Sequence, residues 1–227
     1  MMHLIPRRRG ARPALLLGAL ALLAPATAAR AHPHIFISTT LVLEIDEEGQ
    51  LTGIDVTWAY DEMYSMLLLD ELSLDPDFDG ILTDAELEEL DGYDLNWMEG
   101  FAGDLYVTAP GGQDLALGPP EGLGVTFEEG VYASRHRRRP EAPPEADGLV
   151  VKAYDPTFYT AYDLQGGVSL TGPGASACAL NVTPPEVDDA YEQLAAELAE
   201  LPPDATGYPE VGETFADTIR IRCGGAE

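Results

Sequence analysis

Residues 34–45 have the sequence HIFISTTLVLEI, in which apolar and polar side chains alternate. This period of two is typical of a strand with one buried face. Residues 51–60, LTGIDVTWAY, repeat the alternation, and the intervening segment from Asp46 to Gln50 carries Gly49 and has the composition of a turn. The two segments therefore predict an antiparallel β-hairpin at the start of the folded chain.

The period of the apolar residues changes directly after this hairpin. They recur at helical spacing between Asp61 and Leu74, and a second helix is predicted from Ala85 to Leu90. We therefore expect a helix-loop-helix insert over about residues 61–92. The apolar positions that predict the first helix are Met63, Met66, Leu67 and Leu69.

The loop between these helices, residues 75–86, has the sequence DPDFDGILTDAE and matches the EF-hand calcium loop at each position. Gly80 permits the sharp turn that this loop requires, and Leu82 is expected to point into the core. An acidic turn before a helix is the alternative, because Thr83 and Glu86 also have the spacing of a capping box. The predicted Ca²⁺ ligands are the carboxylates of Asp75, Asp77 and Asp79, the backbone carbonyl of Ile81, the side chain of Thr83 directly or through water, and both oxygens of Glu86.

The rest of the chain predicts further strands and one long helix. Residues Arg135 to Asp147, basic at first and then rich in Pro and Glu, are expected to form an exposed loop. Residues 32–227 are therefore predicted to be a single α+β domain, mainly antiparallel β-sheet, with the helix-loop-helix insert and a C-terminal helix. The predicted elements are a hairpin of residues 104–108 and 114–117 around Gly111 and Gly112, strands at 122–133, 149–154, 167–170, 175–182 and 217–223, and a helix at 186–201.

The amino-terminal segment, residues 1–31, has the pattern of a secretory signal peptide. Arginines at positions 7–9 precede an apolar run from Ala14 to Leu23, and small residues follow, ending in Ala29-Arg30-Ala31. The apolar run is short for a membrane span, which is the alternative. We therefore expect cleavage after Ala31, a periplasmic mature protein, and no stable membrane insertion after cleavage.

The overall charge is strongly negative, with 12 Lys and Arg against 40 Asp and Glu and a formal net charge of −28. Such a chain attracts cations and is a poor partner for nucleic acid or an anionic membrane surface. An acidic surface is also typical of proteins from salty surroundings, which is the alternative explanation.

Cys178 and Cys223 are the two cysteines of the chain. In an oxidising compartment they are expected to form one disulfide bond, closing a loop of about 45 residues and tying down the C-terminus. A metal site with two cysteine ligands is the alternative.

Two histidines lie at the expected mature N-terminus, His32 and His34. Imidazole is a ligand for Zn²⁺, Ni²⁺, Co²⁺ and Cu²⁺, and residues i and i+2 of a strand face the same side. The hairpin register brings His34 opposite about residues 61–63, so Asp61 is a candidate third ligand for a transition metal. The alternative is a frayed polar terminus. His136 lies between arginines and is expected to be a surface residue.

Three short segments in this order resemble a bacterial periplasmic family of unknown function: AHPHIFI at residues 31–37, TWAYDE at 57–62 and YDPTFY at 154–159. That family is described as the periplasmic component of an ABC-type transport system. Its members accompany NicO-type nickel/cobalt permeases, and some are linked to zinc acquisition. The resemblance implies a periplasmic metal-binding accessory protein, with His32 and His34 as ligands and with Asp61 and Asp155 as candidate neighbours.

The sequence therefore predicts a binding protein rather than an enzyme, one that captures Zn²⁺, Ni²⁺ or Co²⁺ for a cognate inner-membrane permease and contains a structural Ca²⁺. The first alternative is a calcium-stabilised structural or interaction module. A second alternative, a copper enzyme with a histidine brace, requires a distant second histidine, and His136 is the candidate.

Overall fold

The computed structural model describes residues 33–202 and 209–224. Within these ranges the chain forms a mixed α+β fold in which most strand pairings are antiparallel, as the sequence predicts. The strands are β1 Ile35–Ile45, β2 Leu51–Tyr60, β3 Leu105–Thr108, β4 Glu121–Glu128, β5 Val131–Arg138, β6 Val150–Ala153, β7 Thr160–Thr171, β8 Cys178–Thr183 and β9 Thr218–Cys223. The α-helices are α1 Glu62–Leu72, α2 Asp84–Leu90 and α3 Val187–Glu200.

The strands form two sheets, one of five strands in the order β4-β5-β2-β1-β7 and one of four strands in the order β3-β6-β9-β8. The pairing of β1 with β7 is parallel, whereas the other ladders between named strands in the described part are antiparallel. Both sheets contribute side chains to one hydrophobic core. Its fully buried aliphatic members include Leu41, Leu43, Ile45 and Ile54 from the first sheet and Val151, Ile219 and Ile221 from the second.

The predicted β1–β2 hairpin is confirmed. Leu41 pairs with Val56 in the antiparallel register, and the Gln50 amide donates to the Asp46 carboxylate at 2.7 Å across the turn. Gly49 has φ +82°, a conformation that favours glycine. The inward positions of β1 alternate as the sequence predicts, and each buried Leu or Ile contributes about 1.5–3 kcal/mol relative to an exposed one.

The segment predicted as one strand over residues 122–133 is instead a hairpin. β4 and β5 pair through a two-residue turn in which Glu129 has φ +53° and Gly130 has φ +82°. This is the mirror-image turn that matches the twist of a hairpin. The prediction was wrong at this turn because a Glu-Gly pair is a weaker turn signal than Asn-Gly or Asp-Gly.

The prediction of an exposed loop from Arg135 to Asp147 was wrong in its first part. Residues up to Arg138 belong to β5, which is hydrogen-bonded to β2 on one side and to β4 on the other. His136 is fully buried instead of lying on the surface. The inward row of β5 is polar, Tyr132, Ser134, His136 and Arg138, and the sequence alone does not mark such a row as a buried face.

Most of the other predicted elements are confirmed with shifted ends. The second strand of the hairpin predicted at 104–108 and 114–117 is not: residues 114–117 make only the isolated bridges Thr108–Asp114 and Leu117–Pro140. The helix predicted at 186–201 is α3, and the last predicted strand is β9. The strand predicted at 167–170 is the end of the longer β7, while Ala175–Ala177 form a 3₁₀ turn before β8. The turn around Gly111 and Gly112 is present, closed by a 2.8 Å hydrogen bond from the Ala109 amide to the Gln113 carbonyl.

The predicted disulfide bond joins Cys178 to Cys223, which lie opposite each other in the β8–β9 ladder. The bond excludes the alternative of a two-cysteine metal site, since both sulfurs are used. A disulfide bond is typical of a protein that folds outside the cytoplasm. The predicted signal peptide, residues 1–31, and His32 lie outside the described residues. Among the residues described, no helix has the length and apolar character needed to cross a membrane.

Candidate metal centre

The candidate calcium loop is positioned by the two helices that follow β2. The Asp61 side chain caps α1 by accepting from the Tyr64 amide at 2.9 Å. At the other end of α1, Ser73 adopts a left-handed conformation with φ +58°, and its amide donates to the carbonyls of Asp70 and Leu69. The chain therefore leaves the helix sharply and enters the acidic loop.

Three carboxylates converge in this loop. Asp75, Asp77 and Asp79 each offer an oxygen atom, and these three atoms all lie within 4.8 Å of one another. Within residues 33–202 and 209–224 they form the only group of three or more His, Cys, Asp or Glu that meets this distance. The sequence prediction placed these same three carboxylates at the first, third and fifth loop positions.

Asp75 is the organising residue of the group and is 8 % exposed. Its two oxygens accept from the amides of Asp79, at 3.0 Å, and of Gly80, at 3.1 Å. Gly80 has φ +76°, so the turn around Asp75 depends on a residue without a side chain at that position. The backbone thus folds around the first carboxylate and brings the other two towards it.

Glu86 closes the loop at its other end. One of its oxygens accepts from the Asp75 amide at 3.0 Å, and the other accepts from the Thr83 amide at 2.8 Å and the Thr83 hydroxyl at 2.7 Å. The hydrogen bonds from Thr83 and from the Asp75 amide hold the pKa of Glu86 below its ordinary value. The capping box that the sequence offered as the alternative interpretation is therefore present. It orients Glu86 towards the loop.

The apolar residues of the loop divide as the pattern predicts. Leu82 is buried in the core, whereas Ile81 is exposed and donates its amide to the Asp79 carboxylate at 2.8 Å. Leu82 anchors the loop to the domain while the carboxylates remain at the surface. All the atoms that this group offers to a metal are oxygens, which suits a hard cation such as Ca²⁺ and does not suit a soft metal.

Of the candidate transition-metal ligands, Asp61 lies at the amino-terminal end of α1 and His34 directly precedes β1. His32 is outside the described residues. The His34 amide donates to the Tyr159 carbonyl at 2.8 Å, and its ring packs on the Tyr159 ring with centroids 4.8 Å apart. The Asp61 carboxylate joins this region to α1, because its second oxygen accepts from the Phe36 amide at 3.0 Å.

Asp155, the other candidate neighbour, has a structural role in the turn before β7. One of its oxygens accepts from the amide and the hydroxyl of Thr157, at 2.8 and 2.9 Å, and the other accepts from the Thr160 amide at 3.0 Å. Since β1 and β7 pair in parallel from Ile35 and Thr160 onwards, this turn lies at the same sheet edge as His34. The structure brings His34, Asp61 and Asp155 to the same end of the sheet, and a metal would compete with the backbone amides that already donate to the two carboxylates.

A buried polar network that the sequence analysis missed lies between α2 and the first sheet. The Asp94 carboxylate accepts from the hydroxyls of Tyr60 at 2.8 Å, of Tyr132 at 3.2 Å, and of Ser134. Burial, together with the charge of Asp94, raises the pKa of Tyr60. An isolated Asp in a loop carries no local signal, and the polar row of β5 does not mark its own burial.

His136 continues this polar row. Its ring lies edge-on to Trp58, with centroids 4.6 Å apart, and to Trp97, with centroids 5.5 Å apart. Neither ring nitrogen has a hydrogen-bond partner among the described residues. Burial and the nearby charge of Arg138 lower the pKa of His136 to about 4. Because the ring is fully buried, it does not offer the exposed second histidine that a copper brace requires.

Asp104 is a further buried acid, 7 % exposed, whose carboxylate accepts from the Tyr162 hydroxyl at 2.8 Å. Burial raises the pKa of Asp104 to about 7, and the charge of Asp155 acts in the same direction. Arg138 is also buried, and its guanidinium donates to the carbonyls of Ala102 and Gly118, each at 2.7 Å. These hydrogen bonds hold the loop residues Ala102, Asp104 and Gly118 against strands β5 and β7.

Comparison with protein families places the chain in a family. The model of a family described as "Protein of unknown function (DUF1007)" matches residues 17–223, which is most of the chain. No curated protein matches the sequence.

Proposed function

Because this chain belongs to the DUF1007 family of proteins of unknown function, we propose its function from the chemistry of its own residues: it is a metal-binding accessory protein outside the cytoplasm, with a Ca²⁺ held in the loop of residues 75–86. The observation that carries the proposal is the convergence of the Asp75, Asp77 and Asp79 oxygens within 4.8 Å. Glu86 and the carbonyl of Ile81 complete an oxygen-only ligand set of the kind Ca²⁺ prefers.

The role proposed for this Ca²⁺ is structural. Three carboxylates so close together repel one another, and a divalent cation removes that repulsion. The loop also connects α1 to α2, and Leu82 links it to the core. A bound Ca²⁺ would therefore stabilise the fold of the insert. At extracytoplasmic calcium concentrations the site would be occupied constantly.

The experiment is a calcium titration by isothermal calorimetry on the purified mature protein and on two variants. Asp77→Ala removes an exposed candidate ligand. Asp84→Ala removes the same charge nearby, from a loop position that supplies no ligand. We expect Asp77→Ala to weaken calcium affinity by about tenfold or more, a loss of about 1.4 kcal/mol or more, and Asp84→Ala to change it far less. Equal effects of the two variants would indicate only general attraction to an acidic surface and would contradict the assigned site.

The second candidate function is capture of Zn²⁺, Ni²⁺ or Co²⁺ for a cognate inner-membrane permease of the NicO type. It is supported by the hydrogen bond from Phe36 to Asp61, which joins the strand end that follows His32 and His34 to a candidate carboxylate ligand. Imidazole ligands would make metal loading weaken as the pH falls through about 6.5. Replacement of both His32 and His34 by Ala tests this function. Loss of zinc binding with unchanged calcium binding supports it, and unchanged zinc binding contradicts it.

Both candidates are binding functions rather than enzymatic ones. The disulfide bond between Cys178 and Cys223 supports a location outside the cytoplasm, which we propose to be the periplasm. A calcium-stabilised interaction module remains the alternative. In that case the bound Ca²⁺ would stabilise a partner-binding surface instead of a transition-metal site.

A further inference from the structure

Helix α1 has two apolar faces, and only one of them is covered. The buried face contains Ser65, Leu68 and Leu69. On the opposite side Met63, Met66 and Leu67 are 58 %, 63 % and 56 % exposed. An ordinary surface helix presents polar residues to solvent, and one that is apolar all round is normally buried. The second face of α1 therefore lacks a cover among the described residues.

The exposed residues form a continuous surface. Met63, Met66 and Leu67 stand at i, i+3 and i+4, which places them on one stripe of the helix. Beside this stripe lies a groove of about 590 Å³, whose walls include Met66, Leu67, Leu74 and Phe78. Phe78 is 86 % exposed and has φ +55°, an unfavourable conformation for an aromatic residue, and it extends the apolar surface onto the loop. We call this surface, made of the exposed residues Met63, Met66, Leu67 and Phe78, the α1 face; the buried Leu74 lines its groove.

The charged side chains of the segment that carries the α1 face all have the same sign. Residues 61–92 contain twelve Asp and Glu and no Lys, Arg or His. Asp70 and Asp75 line the groove itself. A surface of this kind favours a cationic occupant, because opposite charges steer association and fix its orientation. A second copy of this chain would instead bring another twelve acidic residues to the same interface, so self-association through this face is disfavoured.

We propose that the α1 face is a docking surface for a cationic amphipathic helix of a partner polypeptide. Such a helix places its apolar stripe at i, i+3, i+4 and i+7 in the groove, and its Lys or Arg residues reach the acidic rim. Methionine is unbranched and flexible, so Met63 and Met66 can adjust to different apolar side chains of the partner. The proposal goes beyond the metal-binding function and does not depend on which transition metal is bound.

The test uses a synthetic Leu/Lys peptide about 18 residues long, or five helical turns, with leucines at amphipathic helical spacing. It is titrated into the mature protein in calcium-containing buffer and followed by fluorescence anisotropy. A scrambled peptide of the same composition and a Leu/Glu peptide with the same pattern are the controls. We expect the Leu/Lys peptide to bind, the scrambled peptide to bind about tenfold more weakly because it has no apolar stripe, and the Leu/Glu peptide not to bind.

The matched variants place the binding on the α1 face. Met66→Gln with Leu67→Gln removes two exposed anchors, and Met98→Gln with Leu123→Gln removes one exposed Met and one exposed Leu elsewhere. We expect about tenfold or greater loss of peptide affinity in the first pair and none in the second. Circular dichroism and calcium affinity verify that both pairs are folded.

Three outcomes would overturn the proposal. Equal binding of the patterned and scrambled peptides would show general electrostatic attraction only. Peptide binding unaffected by Met66→Gln with Leu67→Gln would place the site elsewhere. A dimer in analytical ultracentrifugation that this same pair dissociates would make a second copy the occupant. None of these results bears on calcium binding, which is measured separately and can succeed or fail by itself.

Discussion

The Asp75 amide donates to the Glu86 carboxylate at 3.0 Å, joining the first and last residues of the acidic loop. The same Glu86 side chain caps α2 through Thr83. Closure of the loop and the start of the following helix therefore depend on one carboxylate. This link gives the insert a defined shape, and it joins Glu86 to Asp75, one of the three converging carboxylates.

We expect calcium to stabilise the folded protein. A ligand that binds only the folded state at about one hundred times its Kd adds about 2.7 kcal/mol to the free energy of unfolding. Urea denaturation in calcium and in chelator measures the difference. Glu86→Gln should reduce this calcium-dependent difference, since it removes a charged ligand. A Glu86→Gln variant with the full calcium effect would exclude Glu86 as a ligand.

Asp61 caps α1, and two substitutions test whether it also binds a transition metal. Asp61→Ala removes the cap of α1 and should cost about 0.5–2 kcal/mol in the free energy of unfolding. Asp61→Ser keeps a capping oxygen and loses the carboxylate, so its stability should remain closer to that of the wild type. If Asp61 is also a transition-metal ligand, zinc affinity should fall in both variants. If zinc affinity falls in Asp61→Ala and is unchanged in Asp61→Ser, Asp61 acts only as a cap.

Burial of His136 predicts a pH dependence of stability. Its folded-state pKa of about 4 lies below its ordinary value of 6.5, so the unfolded state binds more protons between these values. The stabilising contribution is complete above about pH 6.5 and is lost as the pH falls towards 4. The free energy of unfolding, measured by urea denaturation at several pH values in this range, should change less with pH in His136→Phe than in the wild type. The same change with pH in both proteins would mean that His136 is not buried in its neutral form.

Burial of Asp104 predicts the opposite pH dependence, a free energy of unfolding that falls as the pH rises. Its folded-state pKa of about 7 lies above its ordinary value of 3.8, so the folded state holds the extra proton between these values. This contribution is complete below about pH 4 and is lost as the pH rises through 7. Asp104→Asn still accepts from Tyr162 and should therefore gain stability relative to the wild type at pH 8. A loss at pH 8 equal to that at pH 4 would contradict the prediction.

The disulfide bond between Cys178 and Cys223 should contribute about 3–4 kcal/mol to the free energy of unfolding, from a sequence separation of 45 residues. Replacing both cysteines by serine tests this by urea denaturation. Reductant should destabilise the wild type and leave the double variant unchanged. Equal stability of the two proteins in the absence of reductant would contradict it.

Local patterns predicted a large part of the fold. The alternation in residues 34–60 gave the hairpin, helical spacing gave the helices on both sides of the acidic loop, and the Thr83–Glu86 spacing gave a cap that the structure contains. The prediction of one strand at 122–133 was wrong because Glu129-Gly130 is a weak turn signal. The loop predicted at 135–147 was wrong in its first part, because a polar row such as that of β5 has the same composition whether it is buried or exposed.

The sequence by itself determined the elements whose cause is local: a period of two or 3.6, a turn glycine such as Gly49, and a disulfide between the two cysteines of the chain. Tertiary structure alone decided which polar groups are enclosed. His136 is buried because Trp97, 39 positions earlier in the chain, packs against it, and Asp94 gathers hydroxyls from two strands distant in sequence. Burial depends on what distant segments bring to the same place, and no local pattern contains that information.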